Sequence, residues 1–397
     1  MNVKRIFWIL FLLNLLNYID RQVLYAVFPL LQKDLSLSDM ELGALASVFM
    51  LVYMCYAPIV GYFAAHTPKK YWISASAFLW SMATLACGAV KNYTGLLMAR
   101  GLCGAGESGF TTLAQPLLAE HYPKEKRATI LSLFSLALPI GAALGYLLGG
   151  ILGAHVGWRA AFYWVGIPGI ILGILALIWL KEATPAAVPV KPNWANYKEL
   201  LQNKSFLWIC LAHAMVTFVM GGLSAWMPTY FTRYLGLTVQ QAGSIFGLCV
   251  VVSGAVGTYV GGKWADLLLK RTPNAYYHVM KIGFLGAFLG AIGGLNTSSV
   301  PLALLCISVA IICLFLPLGP IAAALVHVTK TPVRPMAFAV NIFMIHILGD
   351  ALSPTLIGSW STFWGLKTAV FLALLAIIPG LGFSWLAQQK EQKHSSL

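Results

Sequence analysis

The chain has 397 residues, of which 59% are hydrophobic and only 10% charged, and its formal net charge is +14. A soluble domain carries about 25% charged residues, so a surface this poor in charge excludes a water-soluble globule and makes lipid the bulk solvent. A span with a short loop takes roughly 30 residues, so the length admits about twelve spans and leaves almost nothing for a soluble domain.

The N-terminus begins with Lys4-Arg5 and a long apolar run, which imitates a signal peptide. The run lacks a small-x-small cleavage site and contains Asp20-Arg21, so it reads as an uncleaved first span. Apolar runs predict spans near 6–31, 41–64, 71–90, 95–121, 128–153, 160–180, 206–231, 240–265, 277–296, 301–326, 335–360 and 367–387. Between the sixth and seventh lies the one long polar connection, 181–205, with Pro185, Pro189 and Pro192. It continues into Trp194-Ala-Asn-Tyr-Lys-Glu-Leu-Leu, suited to a short amphipathic helix on the membrane surface. The expected architecture is all-α: an N-terminal six-helix bundle (1–180), a cytoplasmic linker (181–205) and a C-terminal six-helix bundle (206–397).

Lys and Arg set the orientation. With the N-terminus inside, the inner segments hold Lys4, Arg5, Lys69, Lys70, Lys124, Lys126, Arg127, Lys181, Lys191, Lys198, Lys204, Lys263, Lys270, Arg271, Lys281, Lys330, Arg334, Lys390 and Lys393. The outer loops hold only Lys33, Lys91, Arg159, Arg233 and Lys367. This asymmetry places both termini in the cytoplasm and requires an even number of spans. Cations spread thinly over short loops match anionic headgroups rather than nucleic acid.

The two halves echo each other. Gly61-Tyr-Phe-Ala-Ala-His-Thr-Pro-Lys69-Lys70 follows span two, and Gly262-Lys-Trp-Ala-Asp266-Leu-Leu-Leu-Lys270-Arg271 follows span eight. Such a repeat is how many transporters build two halves around a site.

Charges inside spans cost about 2.5–3.5 kcal/mol each on insertion scales, so they are rarely idle. The first half has Asp20 and Arg21 in span one, and Arg100 and Glu107 in span four. Arg100, Gly104, Glu107 and Thr111 share one helix face, and Asn14, Asn17, Arg21 and Leu24 share another. Two acids and two bases can be buried if paired. The set reads either as a proton relay with a substrate-anion site or as a static salt-bridge network. In span eleven, His346 and Asp350 are one turn apart, with Ser353 one turn on. They form either a pair titrating near neutral pH or a satisfied interhelical hydrogen bond. His213 stands on an apolar face and reads as structural, and His327 lies near a span end where water reaches.

Span seven offers Phe218, Trp226 and Tyr230, and span ten carries only Ser308, Cys306 and Cys313 as polar or thiol groups. A charged wall opposite an apolar, aromatic one suits a ligand with an ionic head and a greasy body. The apolar residues facing lipid or neighbouring helices is the equal alternative.

Several signals exclude other functions. Gly104-Ala-Gly106-Glu-Ser-Gly109 imitates a nucleotide-binding motif, but no strand precedes it and Glu107 would repel phosphate. Helix packing explains these glycines better, as it does Gly141, Gly145, Gly149, Gly257 and Gly261. There is no Walker A, HExxH or GxSxG sequence, so neither ATP-driven transport nor intramembrane hydrolysis is indicated. The seven cysteines fall inside apolar runs without a CxxC pair, so neither a metal nor a disulfide is expected, and no cofactor.

Arg100-Gly-Leu-Cys-Gly104-Ala-Gly106-Glu107 and the Gly262–Arg271 segment resemble two motifs of the major facilitator superfamily. The first-half loop departs from the pattern, with Ala65 where Asp is usual. Within that superfamily, Asn17-Tyr-Ile-Asp20-Arg21, Gly106-Glu107-Ser-Gly109 and His346-Ile-Leu-Gly-Asp350-Ala-Leu-Ser353-Pro354-Thr-Leu-Ile-Gly358 resemble the Spinster-like group. The resemblance implies twelve helices in two pseudo-repeats and a monomeric secondary transporter of the inner membrane. It implies proton-coupled alternating access, with Asp20 and Glu107 as proton carriers and Arg21 and Arg100 as their partners, and the residue reading adds His346 and Asp350 to the proton-coupling set. Arg21, Arg100, Asn17, Thr111, Phe218, Trp226 and Tyr230 would contact substrate, and Asp266, Lys270 and Arg271 would act in gating. The implied substrate is lysophospholipid- or sphingoid-like, and the alternative is uptake or efflux of a small organic anion or metal chelate. The short termini fit a compact bacterial version.

Overall fold

A computed structural model describes residues 3–64, 67–122, 130–131, 133–181, 194–330 and 333–395. Every regular element among them is helical. Eleven helices are long and apolar enough to cross a membrane. Tyr93–Glu120, 28 residues carrying Arg100 and Glu107, is the twelfth of the expected set. Its charges lower its hydropathy without shortening it.

Lipid shows in the surface pattern. Along the sixth span (Trp158–Trp179), Trp164, Ile167, Ile171, Ile174 and Ile178 form an exposed stripe at helical spacing. Water would not tolerate it, and hydrocarbon does. Because lipid gives apolar side chains no reason to cluster, close backbone approach at small residues holds such helices together. Glycines supply it. A Cβ at Gly141 or Gly145 would sit 2.7 or 2.6 Å from the Leu15 or Ile19 carbonyl of the first span. In the second half, Gly257 and Gly261 press on Ile312 and Leu316 of the tenth span in the same way.

Several expected spans are interrupted, each by proline or glycine. The first ends at Ala26 and restarts as Phe28–Leu35, since Pro29 cannot donate to the carbonyl four residues back. The tenth divides into Val300–Phe315 and Leu318–Val328 around Pro317. The eleventh breaks at Gly349, and the twelfth divides into Leu366–Leu374 and Ile377–Ser395 ahead of Pro379.

Helix starts repeat between the halves. Ser38 and Glu41 form a capping box before span two, with Ser38 N–H donating to Glu41 Oε2 (2.8 Å) and Glu41 N–H to Ser38 Oγ (3.3 Å). Thr238 and Gln241 make the same reciprocal pair before span eight, at 3.0 and 3.2 Å.

Packing resolves two compact units, Met1–Val190 with Met227–Leu248, and Lys191–Trp226 with Cys249–Leu397. This differs from the division read in sequence order over Met227–Leu248. Within the first unit, Tyr146 meets Phe246 edge-on at 5.0 Å. In the second, the short helix Trp194–Gln202 stands where the amphipathic segment was expected. Asn203 Nδ2 donates to the Val328 carbonyl (2.9 Å), and Lys330 pairs with Glu199 (2.7 Å), whose bond raises the Lys330 pKa. Residues 182–193 of the linker, and Ala65, lie outside the described residues.

Candidate functional site

The first unit carries a buried polar network between spans one, two, three and four. The span-four helix starts cleanly because Asn92 Oδ1 accepts from Gly95 N–H at 2.8 Å. It is then drawn onto its neighbours by glycines. A Cβ at Gly104 would lie 2.2 Å from the Phe49 carbonyl of span two, and one at Gly106 2.5 Å from the Trp80 nitrogen of span three. The glycines of the apparent nucleotide motif are therefore packing residues, and they bring Arg100 and Glu107 inward.

The four charges pair crosswise. Arg21 Nε donates to Glu107 Oε2 at 2.7 Å. Arg100 Nη1 lies 3.6 Å from Asp20 Oδ2. Asp20, Arg100 and Glu107 are fully buried, and Arg21 retains slight exposure. Sequence spacing placed Glu107 and Arg100 on one face, yet the direct partner of Glu107 is Arg21.

Aromatic rings back both cations. Arg100 Cζ lies 4.7 Å from the Phe49 ring centre, and Arg21 Cζ lies 5.0 Å from Phe49, 4.9 Å from Tyr53 and 5.3 Å from Tyr18. Thr111 Oγ1 bonds the Glu107 carbonyl at 2.9 Å and exchanges a 2.6 Å hydrogen bond with Tyr53 Oη.

Several buried polar atoms of the network have no hydrogen-bond partner. They are all three guanidinium nitrogens of Arg100, Glu107 Oε1, Asp20 Oδ1 and both amide atoms of Asn17. Unmade hydrogen bonds of buried charged groups are costly. A cluster of them is a site shaped for something polar that comes and goes.

Three contributors were missed in the sequence. Thr84 of span three donates to Asp20 Oδ2 at 3.0 Å, and Phe49 and Tyr53 of span two cover the arginines. Thr84 ends a row of polar residues, Ser74, Ser76, Ser81 and Thr84, all buried. That row in an apolar run was the available signal. Phe49 and Tyr53 gave none, because aromatic residues are common in every span.

In the second unit, His346 Nδ1 lies 2.9 Å from Asp350 Oδ1. His213 is not alone: its Nδ1 lies 3.2 Å from Asn341 Oδ1. His327, expected to meet water, is largely exposed and pairs with Glu391 at 2.8 Å. The aromatic residues of span seven are closed in. Trp226 is fully buried and its Nε1 donates to the Pro354 carbonyl at 2.9 Å. Phe218 is nearly buried, and Tyr230 stacks on Tyr234 at 4.9 Å within the first unit. Asp266, Lys270 and Arg271 are exposed and form no ion pair among the described residues. In the first half, Lys69 instead pairs with Glu120 of span four at 2.5 Å.

Comparison with known proteins gives these features a family. The family model of the Major Facilitator Superfamily matches residues 10–354. The chain is 32% identical over 371 residues to the sphingosine-1-phosphate transporter SPNS2 of Danio rerio, covering 87% of this chain and 73% of that protein. It is 30% identical over 372 residues to protein spinster homolog 1 of Homo sapiens, covering 87% of this chain and 70% of that one. Its fold matches the crystal structure of a bacterial homologue of the human lysosomal transporter Spinster, in an inward-facing and unoccupied conformation. The TM-score is 0.89, at 21% identity over 98% of each chain. The chain belongs to the major facilitator superfamily and, within it, to the Spinster-like group: it is a multi-pass membrane transporter, not an enzyme.

Proposed function

We propose that this transporter moves an amphipathic, lysophospholipid- or sphingoid-like substrate by proton-coupled alternating access. The observation that carries the reading is Arg100, a fully buried guanidinium with an aromatic ring at its face and no hydrogen bond from any of its three nitrogens. An anionic headgroup supplies acceptors for such a fork. The relative named above as a sphingosine-1-phosphate transporter makes a lipid the first candidate.

Glu107 and Asp20 serve as the proton carriers in this reading, each sharing its cation with the substrate. When the anion engages Arg21 or Arg100, the carboxylate loses its partner and takes up a proton. When the proton leaves, the ion pair re-forms and the anion is released. Asn17 and Thr111 orient the headgroup. His346 and Asp350 are the second protonation pair, Phe218, Trp226 and Tyr230 lie along the apolar path, and Asp266, Lys270 and Arg271 act at the cytoplasmic end. The six-helix bundles 1–180 and 206–397 are the moving bodies, in a cytoplasmic membrane with both termini inside and the chain acting as a monomer.

A thermal-shift screen on purified protein tests the substrate class. A ligand at 100 times its dissociation constant stabilises the folded state by about 2.7 kcal/mol. A lysophospholipid or sphingoid phosphate should raise the melting temperature, and Arg100→Gln should erase the shift. Stabilisation by a short organic anion or metal chelate instead of the lipids would select the other reading.

A further inference from the structure

Span eleven is broken where its polar groups are densest. The helix Arg334–Ile345 passes into a five-residue π turn, His346–Asp350, and resumes as Ser353–Trp364. Inside the turn Gly349 leaves the helical region, with φ −109° and ψ −107°. Ala351 N–H donates to the His346 carbonyl and Leu352 N–H to the Gly349 carbonyl, which skips Ile347 and Leu348. Pro354 has no N–H for the carbonyl four residues back, that of Asp350. The Ile347 carbonyl therefore receives neither the Ala351 nor the Leu352 N–H, and the Asp350 carbonyl loses the bond that residue 354 would have given it.

Two side-chain oxygens join them. Asp350 meets His346 and no Lys or Arg among the described residues. Ser353 is fully buried and its Oγ has no hydrogen-bond partner. Gly221 of span seven gathers both, since a Cβ there would sit 2.5 Å from Asp350 Cβ and 3.1 Å from Ser353 Oγ. The broken turn docks on the same helix, where a Cβ at Gly349 would lie 3.0 Å from Thr217 Cβ.

We propose that this break is a Na⁺ site, built from the Asp350 carboxylate, Ser353 Oγ and the released carbonyls, at which Na⁺ and the proton compete. Hard cations take oxygen ligands, and unwound helices in transporters present carbonyls for this purpose. A proton alone needs neither the orphaned hydroxyl nor the freed carbonyls. The other titratable groups around Asp350 are His346 on its own turn and His213 on span seven, which faces Asn341. Neither is a permanent cation, so Asp350 keeps a need for counter-charge that Arg100 and Arg21 remove from the acids of the first unit. The inference rests on the transporter reading and adds a second coupling ion to it.

Thermal unfolding of the purified full chain, without lipid substrate, tests the site. NaCl should raise the melting temperature above KCl or choline chloride at equal ionic strength and alkaline pH, and the difference should vanish at acidic pH. Asp350→Asn should abolish the Na⁺ shift. Ser353→Ala, which removes a hydroxyl that bonds nothing, should leave the fold intact and weaken the apparent Na⁺ affinity by about tenfold or more. Glu107→Gln should keep the shift, so failure of the proton scheme in the first unit reads separately from failure here. Equal melting temperatures in the three salts would overturn the proposal, as would a full Na⁺ shift in Ser353→Ala and Asp350→Asn.

Discussion

Arg21 and Glu107 face each other from spans one and four, with Arg21 Nε donating to Glu107 Oε2 across 2.7 Å. The other acid and base of these helices, Asp20 and Arg100, sit farther apart at 3.6 Å. The tight pair leaves one Glu107 oxygen unbonded, and the loose pair leaves Arg100 without a hydrogen bond. One helix pair thus holds a closed ion pair beside an open one.

Breaking the closed pair from one side should be costly. Arg21→Gln strands a buried carboxylate, a loss of about 3–5 kcal/mol in such settings. Arg21→Gln with Glu107→Gln should recover most of the melting temperature. Glu107→Gln alone should abolish transport driven by a pH gradient while substrate exchange between the two sides continues. Unchanged gradient dependence in that variant removes Glu107 from the coupling scheme.

Close packing at span four should be intolerant of a methyl group. Gly104→Ala meets the Phe49 backbone at 2.2 Å, a contact that only a backbone shift relieves. Overpacking of this kind costs about 1–3 kcal/mol. Gly262→Ala, which meets nothing within 4 Å, should be neutral. Equal melting temperatures for the two variants would show that the spans separate freely at Gly104.

A forked ion pair within the first unit holds the C-terminal end of span seven, at Arg233. Arg233 Nη1 and Nη2 donate to the two Asp39 oxygens at 2.7 and 2.6 Å, and Gln32 Oε1 accepts from Nη2 at 2.7 Å. Hydrogen bonds to charged groups contribute about 1.5–3 kcal/mol, and each 1.4 kcal/mol is about tenfold in population. Thr229→Cys, at a buried position nearby in sequence, should react with an impermeant thiol reagent about tenfold faster when Asp39→Asn is added. Identical rates would show that this pair holds no gate.

The Asp34–Arg159 pair gives a pH signature. The hydrogen bond from Arg159, then that from Trp158, hold the Asp34 carboxyl below its usual value. A depressed carboxylate contributes stability above its unfolded pKa, near 3.9, and loses it as pH falls through the folded value. The pair is exposed, so the contribution is about 0–1 kcal/mol. Asp34→Asn should melt slightly below the parent at neutral pH, and the two curves should converge in acid. A gap that persists in acid would assign the effect to packing.

Topology has its own test. A cysteine replacing the exposed Lys330 should be blocked by impermeant reagents in inside-out vesicles and spared in intact cells. Labelling in intact cells would invert the orientation.

Composition and charge placement determined the membrane class and the helix number, because the bilayer admits so few solutions for the backbone, whereas the transporter fold followed from the resemblance of the Arg100–Glu107 and Gly262–Arg271 motifs. In-span charges marked Asp20, Arg21, Arg100 and Glu107 for the same reason: hydrocarbon makes each one conspicuous. The capping boxes at Ser38–Glu41 and Thr238–Gln241 emerged only in the structure, although each joins residues three apart. The tertiary structure alone decided which acid pairs with which base, that Thr84 and Phe49 complete the network, and that His213 meets Asn341. Helical periodicity orders residues along one helix, whereas these partners come from different helices whose rotation is set by glycine contacts such as Gly104 on Phe49. The break at Gly349 belongs to both: Pro354 could be read from the chain, but the loss of α geometry five residues earlier depends on span seven packing against Gly349 and Asp350.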